Sequence, residues 1–533
     1  MADTRSPLQS KTEVLIVGAG AAGSWLARRL AMAGRSVRVL EAGPGWKLDD
    51  LASSQIWARR LRWGGPLVET TGRNPFGYGF NAGWGLGGAA LHHYGTWLRF
   101  DPHDFAMKTR FGRGRDWPFG YETLRPFYDR VQRDVGISGD AGAEVWRPPG
   151  DPYPLPALSP TSQGESIARG FRALGEHVAP MPMAILSREY RGRAACLYDG
   201  WCDAGCPIGA LYNPLVRDIP EARSAGAEFV TGAQVTSLLW DKGAGRIAGA
   251  LWRERDGGVL HRAEADLVIL AASAVHNPAL LLNSVSSRWP RGIGNEHDLV
   301  GRFFMTHAVL GIYGLMVEET FPHLGVSGAQ FSARDDYAKA RGDDEAAFGS
   351  YHWLIAPAAK PDDLLGIAIS RPDVWGAALD PFMKRAARHF ASMIAMVEDL
   401  PQARNRVMLA EPPRPDSPPS VRIEHAFAPE TLAVWSRAKR RGLAVFRAAG
   451  ANEPWSSGVN TAHMMGGTII GRDPRDSVAN EWGRVHGIPN LFIAGTGLYP
   501  AAGALNPTFT LYALAERTAE YLINHWRDHV PSG

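Results

Sequence analysis

Three sets of residues have types and spacings that could do chemistry. His463 stands just before Gly466-Gly467-Thr468, and Asn506 opens the run Asn506-Pro507-Thr508. Imidazole titrates close to operating pH, so a histidine and an asparagine delivered to one place can handle the proton of an alcohol. Gly18-Ala19-Gly20-Ala21-Ala22-Gly23, followed by an acid at Glu41, has the spacing of a dinucleotide-binding turn. Cys196, Cys202 and Cys206 are the only cysteines, and Pro207 follows the last. Three thiols on a glycine-rich loop closed by Cys-Pro resemble iron–sulfur ligation, and three ligands suit a three-iron cluster. Structural zinc, which would want a fourth ligand, and reduced unliganded thiols are the alternatives.

These residues need particular elements to hold them. Residues 13–17 read as a buried parallel strand leading into the first glycine turn, and a helix follows to about Ala33. A second strand over 36–40 ends at Glu41. Gly18 permits the tight turn, Gly20 lets backbone approach a pyrophosphate, and Gly23 lets helix and strand pack closely. Glu41 is then placed to accept hydrogen bonds from ribose hydroxyls. The motif does not separate NAD from FAD. A second glycine cluster over 83–88, ending in Gly87-Gly88, is something a flavin needs and a nicotinamide domain does not. His92 and His93 follow it, either as packed side chains or, for His92, as a covalent flavin tether.

Further along, strands are expected over 228–231, 234–240, 247–252 and 266–272, with a helix over 279–284 after Asn277-Pro278. Val235 is counted among the cofactor-binding residues. Residues 306–448 alternate strands with one or two helices and form most of a substrate domain. A short strand, Leu491-Phe492-Ile493-Ala494, ends in Gly495-Thr496-Gly497, and Thr508 lies at the start of the last helix. A strand ending in glycine before a helix N-terminus brings backbone N–H groups to a phosphate or flavin ring.

The chain's 533 residues exceed one ordinary core, so two domains are expected. A net charge of +3 gives nucleic-acid binding no electrostatic support. No apolar run reaches the roughly 18 residues of a membrane span. Residues 1–12 are expected to be a loose polar tail without the apolar core of a secretory signal.

Taken together, the chain resembles the glucose–methanol–choline (GMC) flavoprotein oxidoreductases over almost its whole length. The resemblance rests on Gly18-x-Gly20-x-x-Gly23 with Glu41, Gly87-Gly88, Asn277-Pro278, His463-x-x-Gly466-Gly467-Thr468 and Asn506-Pro507-Thr508. Within the family it is most similar to the flavoprotein subunits of bacterial glucose, fructose and gluconate dehydrogenases, through Cys196-x5-Cys202-x3-Cys206-Pro-Ile-Gly-Ala.

The resemblance implies an α/β fold in which a Rossmann-type FAD-binding domain (13–100, 190–305, 455–526) interleaves with an α+β substrate domain (101–189, 306–454) carrying an antiparallel sheet. It implies hydride transfer from a sugar or polyol carbon to N5 of FAD, with His463 as general base and Asn506 orienting the hydroxyl. It also implies a 3Fe-4S cluster on Cys196, Cys202 and Cys206, a cytochrome c subunit as acceptor, and a small export subunit. The expected location is the periplasmic side of the inner membrane through those partners, with a cytoplasmic protein as the alternative. Where the sugar dehydrogenases place His-Trp, this chain has His92-His93-Tyr94. Competing readings are an oxygen-using oxidase, a redox-neutral lyase, an NAD-dependent dehydrogenase and a non-catalytic flavin scaffold. Attack at the anomeric carbon or at C3 of a glycoside is left open.

Overall fold

The computed structural model describes residues 11–255, 257–339 and 347–530. The tail expected over 1–12 lies, up to residue 10, outside the described residues. In the strand Thr12–Val17 the run 14–17 is apolar without alternation, as a strand covered on both faces must be. It pairs in parallel with Val37–Glu41 on one side and with the C-terminal half of Leu260–Leu270 on the other. Glu228–Thr231 extends the sheet past Val37–Glu41, and Leu491–Ile493 extends it past Leu260–Leu270. Strand order therefore reverses at Thr12–Val17, which opens a crevice at the carboxyl ends of the strands. The helices Ala21–Met32 and Thr508–Asn524 pack on each other.

The strand expected at 266–272 begins six residues earlier, at Leu260. Its extra N-terminal half leaves the parallel sheet and pairs antiparallel with Arg246–Glu254, which in turn pairs with Ala233–Asp241. The helix expected at 279 begins at Ser273, with Pro278 inside it. Side chains hold its first turn: Ser273 Oγ accepts from the N–H groups of Val275 and His276, and Asn277 Oδ1 accepts from Ala272 N–H.

A second, antiparallel sheet runs in the order Asn452–Ser456, Met305–Leu315, Phe390–Val397, Tyr351–Ile355, Phe331–Ala333 and Ala179–Pro180, and Asn460–Met465 also pairs with Met305–Leu315. Side chains alternate across its faces. Leu310, Ile312, Trp353, Met393 and Ala395 pack under the helices Pro429–Ala448 and Ser162–Ala173. Val309, Leu354, Ile394 and Met396 point the other way, into a cavity of about 620 Å³ shared with the crevice of the first sheet. Among the described residues of 306–448 there are three α-helices, Pro361–Ala368, Leu379–His389 and Pro429–Ala448, where one or two were expected. Among the described residues no helix is long and apolar enough to cross a membrane.

Candidate active site

The two glycine loops close on each other to make one end of the cavity. Gly18 has φ +99°, and a Cβ there would lie 2.7 Å from the Ala271 carbonyl oxygen. A Cβ on Gly23 would lie 2.0 Å from the Gly18 carbonyl oxygen, so the helix could not reach the strand with any larger residue. At Gly20 nothing lies within 4 Å of that position, because it opens onto the cavity. Gly87 N–H donates to the Ala19 carbonyl at 2.9 Å, and Gly88 sits against Gly20.

Glu41 ties the loops together. Its carboxylate accepts from the N–H groups of Ala19 (2.9 Å), Gly43 (2.8 Å) and Gly85 (3.2 Å). Burial raises its pKa while these three bonds oppose the rise. It still lines the cavity, so a ribose contact, as expected from the sequence, would share the carboxylate with the backbone. Gly18, Gly20, Glu41, Gly88, His92, Val235, Gly495, His463, Asn506, Pro507 and Thr508 all line the same cavity. Gly23, Gly87 and Gly497 shape it from behind; a Cβ on Gly497 would meet Thr468 Oγ1 at 2.8 Å.

A glycine-walled crevice whose floor is a helix N-terminus without acidic residues fits the pyrophosphate of FAD. His92 Nε2 donates to the Ala82 carbonyl at 2.7 Å, and burial and then Arg62 push its pKa down to about 3. Any tether would therefore form through Nδ1. His93 Nε2 donates to the Tyr212 carbonyl at 2.7 Å.

The other end holds the expected pair. Strand pairing sets Ala462 opposite His307, and the register then shifts before Met465. Regular alternation would turn residue 463 to the opposite face from 307. The bulge, with His463 at φ +70°, turns it back to the His307 face. Asn81 Oδ1 accepts the His463 N–H at 2.7 Å, replacing the partner the ladder no longer supplies. His463 Nδ1 lies 2.8 Å from His307 Nδ1, and His463 Nε2 lies 3.3 Å from Asn506 Nδ2. Burial and then the neighbouring His307 hold His463 well below the usual imidazole range. His307 is pushed down to about 4 by burial. Both rings are thus neutral at pH 7, and a neutral imidazole can take a proton.

His307, His352 and Asn81 were not found from the sequence. His352 is fully buried, neither ring nitrogen has a hydrogen-bond partner of good geometry, and burial, Arg334 and then His307 and His463 depress its pKa. A histidine within the apolar strand Met305–Leu315 was the one legible signal.

The cysteine loop does not line this cavity. Its thiols are free, and each accepts one backbone N–H: Cys196 from Tyr198 (3.3 Å), Cys202 from Ser327 (3.4 Å) and Cys206 from Leu211 (3.3 Å). Burial raises all three pKa values, that of Cys196 to about 11. Ser327 both donates to Cys202 and lines the cavity, so one residue separates loop from cavity.

Comparison with known proteins gives the family. Two GMC oxidoreductase family models match residues 12–309 and 401–515. The chain is 29% identical to the fructose dehydrogenase large subunit of Gluconobacter japonicus, over 96% of this chain and 98% of that one. It is 29% identical to 2-methyl-1,2-propanediol dehydrogenase of Mycolicibacterium austroafricanum, over 98% and 96%. A formate oxidase structure from Aspergillus oryzae shares the fold with a TM-score of 0.70 at 16% identity, over 98% of this chain and 100% of that one. The pyridoxine 4-oxidase of Mesorbium loti does so with a TM-score of 0.65 at 19% identity, over 97% and 100%. The chain belongs to the GMC oxidoreductase family and is an FAD-dependent oxidoreductase acting on alcohol donors.

Proposed function

We propose that this enzyme is a dehydrogenase that oxidises an alcohol carbon of a sugar or polyol to a lactone or ketone. The observation that carries the reading is His463 Nε2 facing Asn506 Nδ2 across 3.3 Å at the cavity wall. Bound FAD supplies the acceptor for the two electrons and hydrogen that leave the carbon as hydride. His463 Nε2 accepts the hydroxyl proton, and Asn506 Nδ2 donates to the same oxygen and holds the carbon in place. Val309, Leu354, Ile394 and Met396 form an apolar wall that keeps water from the reacting atoms. Residues 13–100, 190–305 and 455–526 serve the cofactor in this reading, and 101–189 and 306–454 the substrate.

Cys196, Cys202 and Cys206 would hold a 3Fe-4S cluster. One N–H bond to each sulfur is the pattern that stabilises thiolate ligands, and the fit is therefore good on the donor side. Among the described residues no three His, Cys, Asp or Glu side chains are placed to hold a metal ion, so the cluster reading rests on the donor set alone. The cluster would supply a one-electron exit toward a cytochrome c-type partner. Likeness to a protein named as a fructose dehydrogenase large subunit supports further subunits as partners; a small export subunit and work on the periplasmic face of the inner membrane belong to the same proposal.

His463→Ala tests the base: flavin reduction by substrate should be lost with FAD still bound, and an unchanged single-turnover rate would sink the assignment. Iron, acid-labile sulfide and the electron paramagnetic resonance of protein purified without oxygen test the cluster. Absence of iron, with stoichiometric peroxide from each turnover, would make the enzyme an oxidase.

A further inference from the structure

His307 touches neither substrate nor cofactor in the reading above, yet its geometry constrains what His463 can do. A carbonyl oxygen only accepts hydrogen bonds. His307 Nε2 lies 3.1 Å from the Gly503 carbonyl and must therefore carry a proton. His307 is fully buried and neutral at pH 7, so its Nδ1 carries only a lone pair. His463 Nδ1 is 2.8 Å from that lone pair. Two lone pairs cannot face each other at this distance, so the hydrogen sits on His463 Nδ1. His463 Nε2 is left bare, with Asn506 Nδ2 as its hydrogen-bond donor. A histidine ring without such a partner favours the opposite tautomer, with its proton on Nε2, where it would block uptake of a proton from substrate.

The Gly503 carbonyl is itself held. Ala504 N–H donates to Tyr337 Oη at 3.1 Å, and Tyr337 Oη donates to Asp104 Oδ2 at 2.9 Å. Asp104 pairs with Lys339 Nζ at 2.5 Å, and Lys339 with Glu398 Oε2 at 2.7 Å, all with side chains at most 1% exposed. Gly503 has φ +57°, and a Cβ there would press on the Asp104 carboxylate at 3.1 Å. The titratable rings facing His307 are those of His463 and His352; of the charged groups, Asp104 favours its charged form and Lys339 opposes it. This buried ionic cluster lies outside the proposed redox chemistry. Its place behind the 503–506 segment makes it the anchor that aims the Gly503 carbonyl.

We propose that His307 is a positioning residue that fixes the Nδ1–H tautomer of His463 and so exposes the Nε2 lone pair to the substrate hydroxyl. The proposal rests on the assignment of His463 as general base.

The test uses the FAD-loaded enzyme and two substitutions. His307→Leu removes the acceptor. His307→Gln restores the pattern, its carbonyl facing His463 Nδ1–H and its amide facing the Gly503 carbonyl. Histidine is labelled with 15N, and the His463 ring is assigned by loss of its signals in His463→Ala. Wild type and His307→Gln should show a protonated Nδ1 and a bare Nε2 on His463, and His307→Leu should show the reverse. Anaerobic flavin reduction should fall about 10²- to 10⁴-fold in His307→Leu, the range of a lost general base. It should stay within about tenfold of wild type in His307→Gln, with KM changing less than kcat and FAD content unchanged. A protonated Nδ1 on His463 in His307→Leu, or His307→Gln as slow as His307→Leu, would overturn the proposal. His463→Ala separates the two levels. A normal rate there refutes the base itself, whereas a slow His463→Ala beside a normal His307→Leu refutes only the role of His307.

Discussion

Asn81→Ala should show what holds His463, the proposed base, in its unusual backbone. His463 has φ +70°, a region that costs a non-glycine residue roughly 1–3 kcal/mol and persists only when its surroundings impose it. The main restraint on that backbone is the 2.7 Å bond from His463 N–H to Asn81 Oδ1. Asn81 is itself fixed by Nδ2 donating to the Gly77 carbonyl at 2.9 Å. Removing the acceptor leaves a part-buried N–H unpaired, which costs about 1–3 kcal/mol. That matches the strain the bond was opposing, so residue 463 can relax toward extended backbone and the imidazole leaves the His307 face. Each 1.4 kcal/mol lost from the productive arrangement is about a factor of ten in rate. The expected loss is therefore about 10- to 100-fold in flavin reduction at saturating substrate. Stopped-flow absorbance under anaerobic conditions reads it, with the flavin-to-protein ratio as the control for cofactor loss. A rate within about twofold of wild type at full FAD occupancy would refute the argument that Asn81 holds the bulge.

Four further outcomes are expected. Gly20→Leu should keep secondary structure but lose FAD, because its side chain enters the open cradle, whereas Gly23→Leu should lower the melting temperature by meeting backbone at 2.0 Å; absorbance and circular dichroism separate them. Glu41→Gln turns an NH2 group toward one of the three N–H donors and should cost about 1–3 kcal/mol in denaturant unfolding, together with weaker FAD binding. The acid limb of flavin reduction should lie well below pH 6.5, since His463 is neutral far into acid. Stability follows the same sign. His307 has its folded pKa lowered to about 4, so its contribution is complete above the unfolded value near 6.5 and is lost as pH falls from there toward 4. Full loss from this one ring is about 3 kcal/mol, visible as a falling denaturant midpoint between pH 7.5 and 4.5.

The sequence alone determined the parts whose reasons are local. The positions of Gly18, Gly20 and Gly23 follow from steric limits within a few residues, and the run 14–17 shows its burial on both faces by lacking alternation. Leu491–Ile493 and the helix from Thr508 were legible for the same reason. Family motifs supplied His463 and Asn506. What only the tertiary structure decided is how these residues are aimed. His307 and His463 are 156 residues apart and meet because two antiparallel strands share a register. A slip of one residue would put every side chain on the other face, and a single bulge reverses the facing of His463 alone. Asn81, which ends the one-turn helix Tyr78–Asn81, and Gly503, on a loop, fix that backbone and its tautomer partner from places that no periodicity records. Ser327 joins the cysteine loop to the cavity from 125 residues beyond Cys202. Short-range backbone sterics are written in short stretches of sequence. Hydrogen-bond partners across sheets depend on pairing, register and bulges, which are settled only when the whole chain has folded.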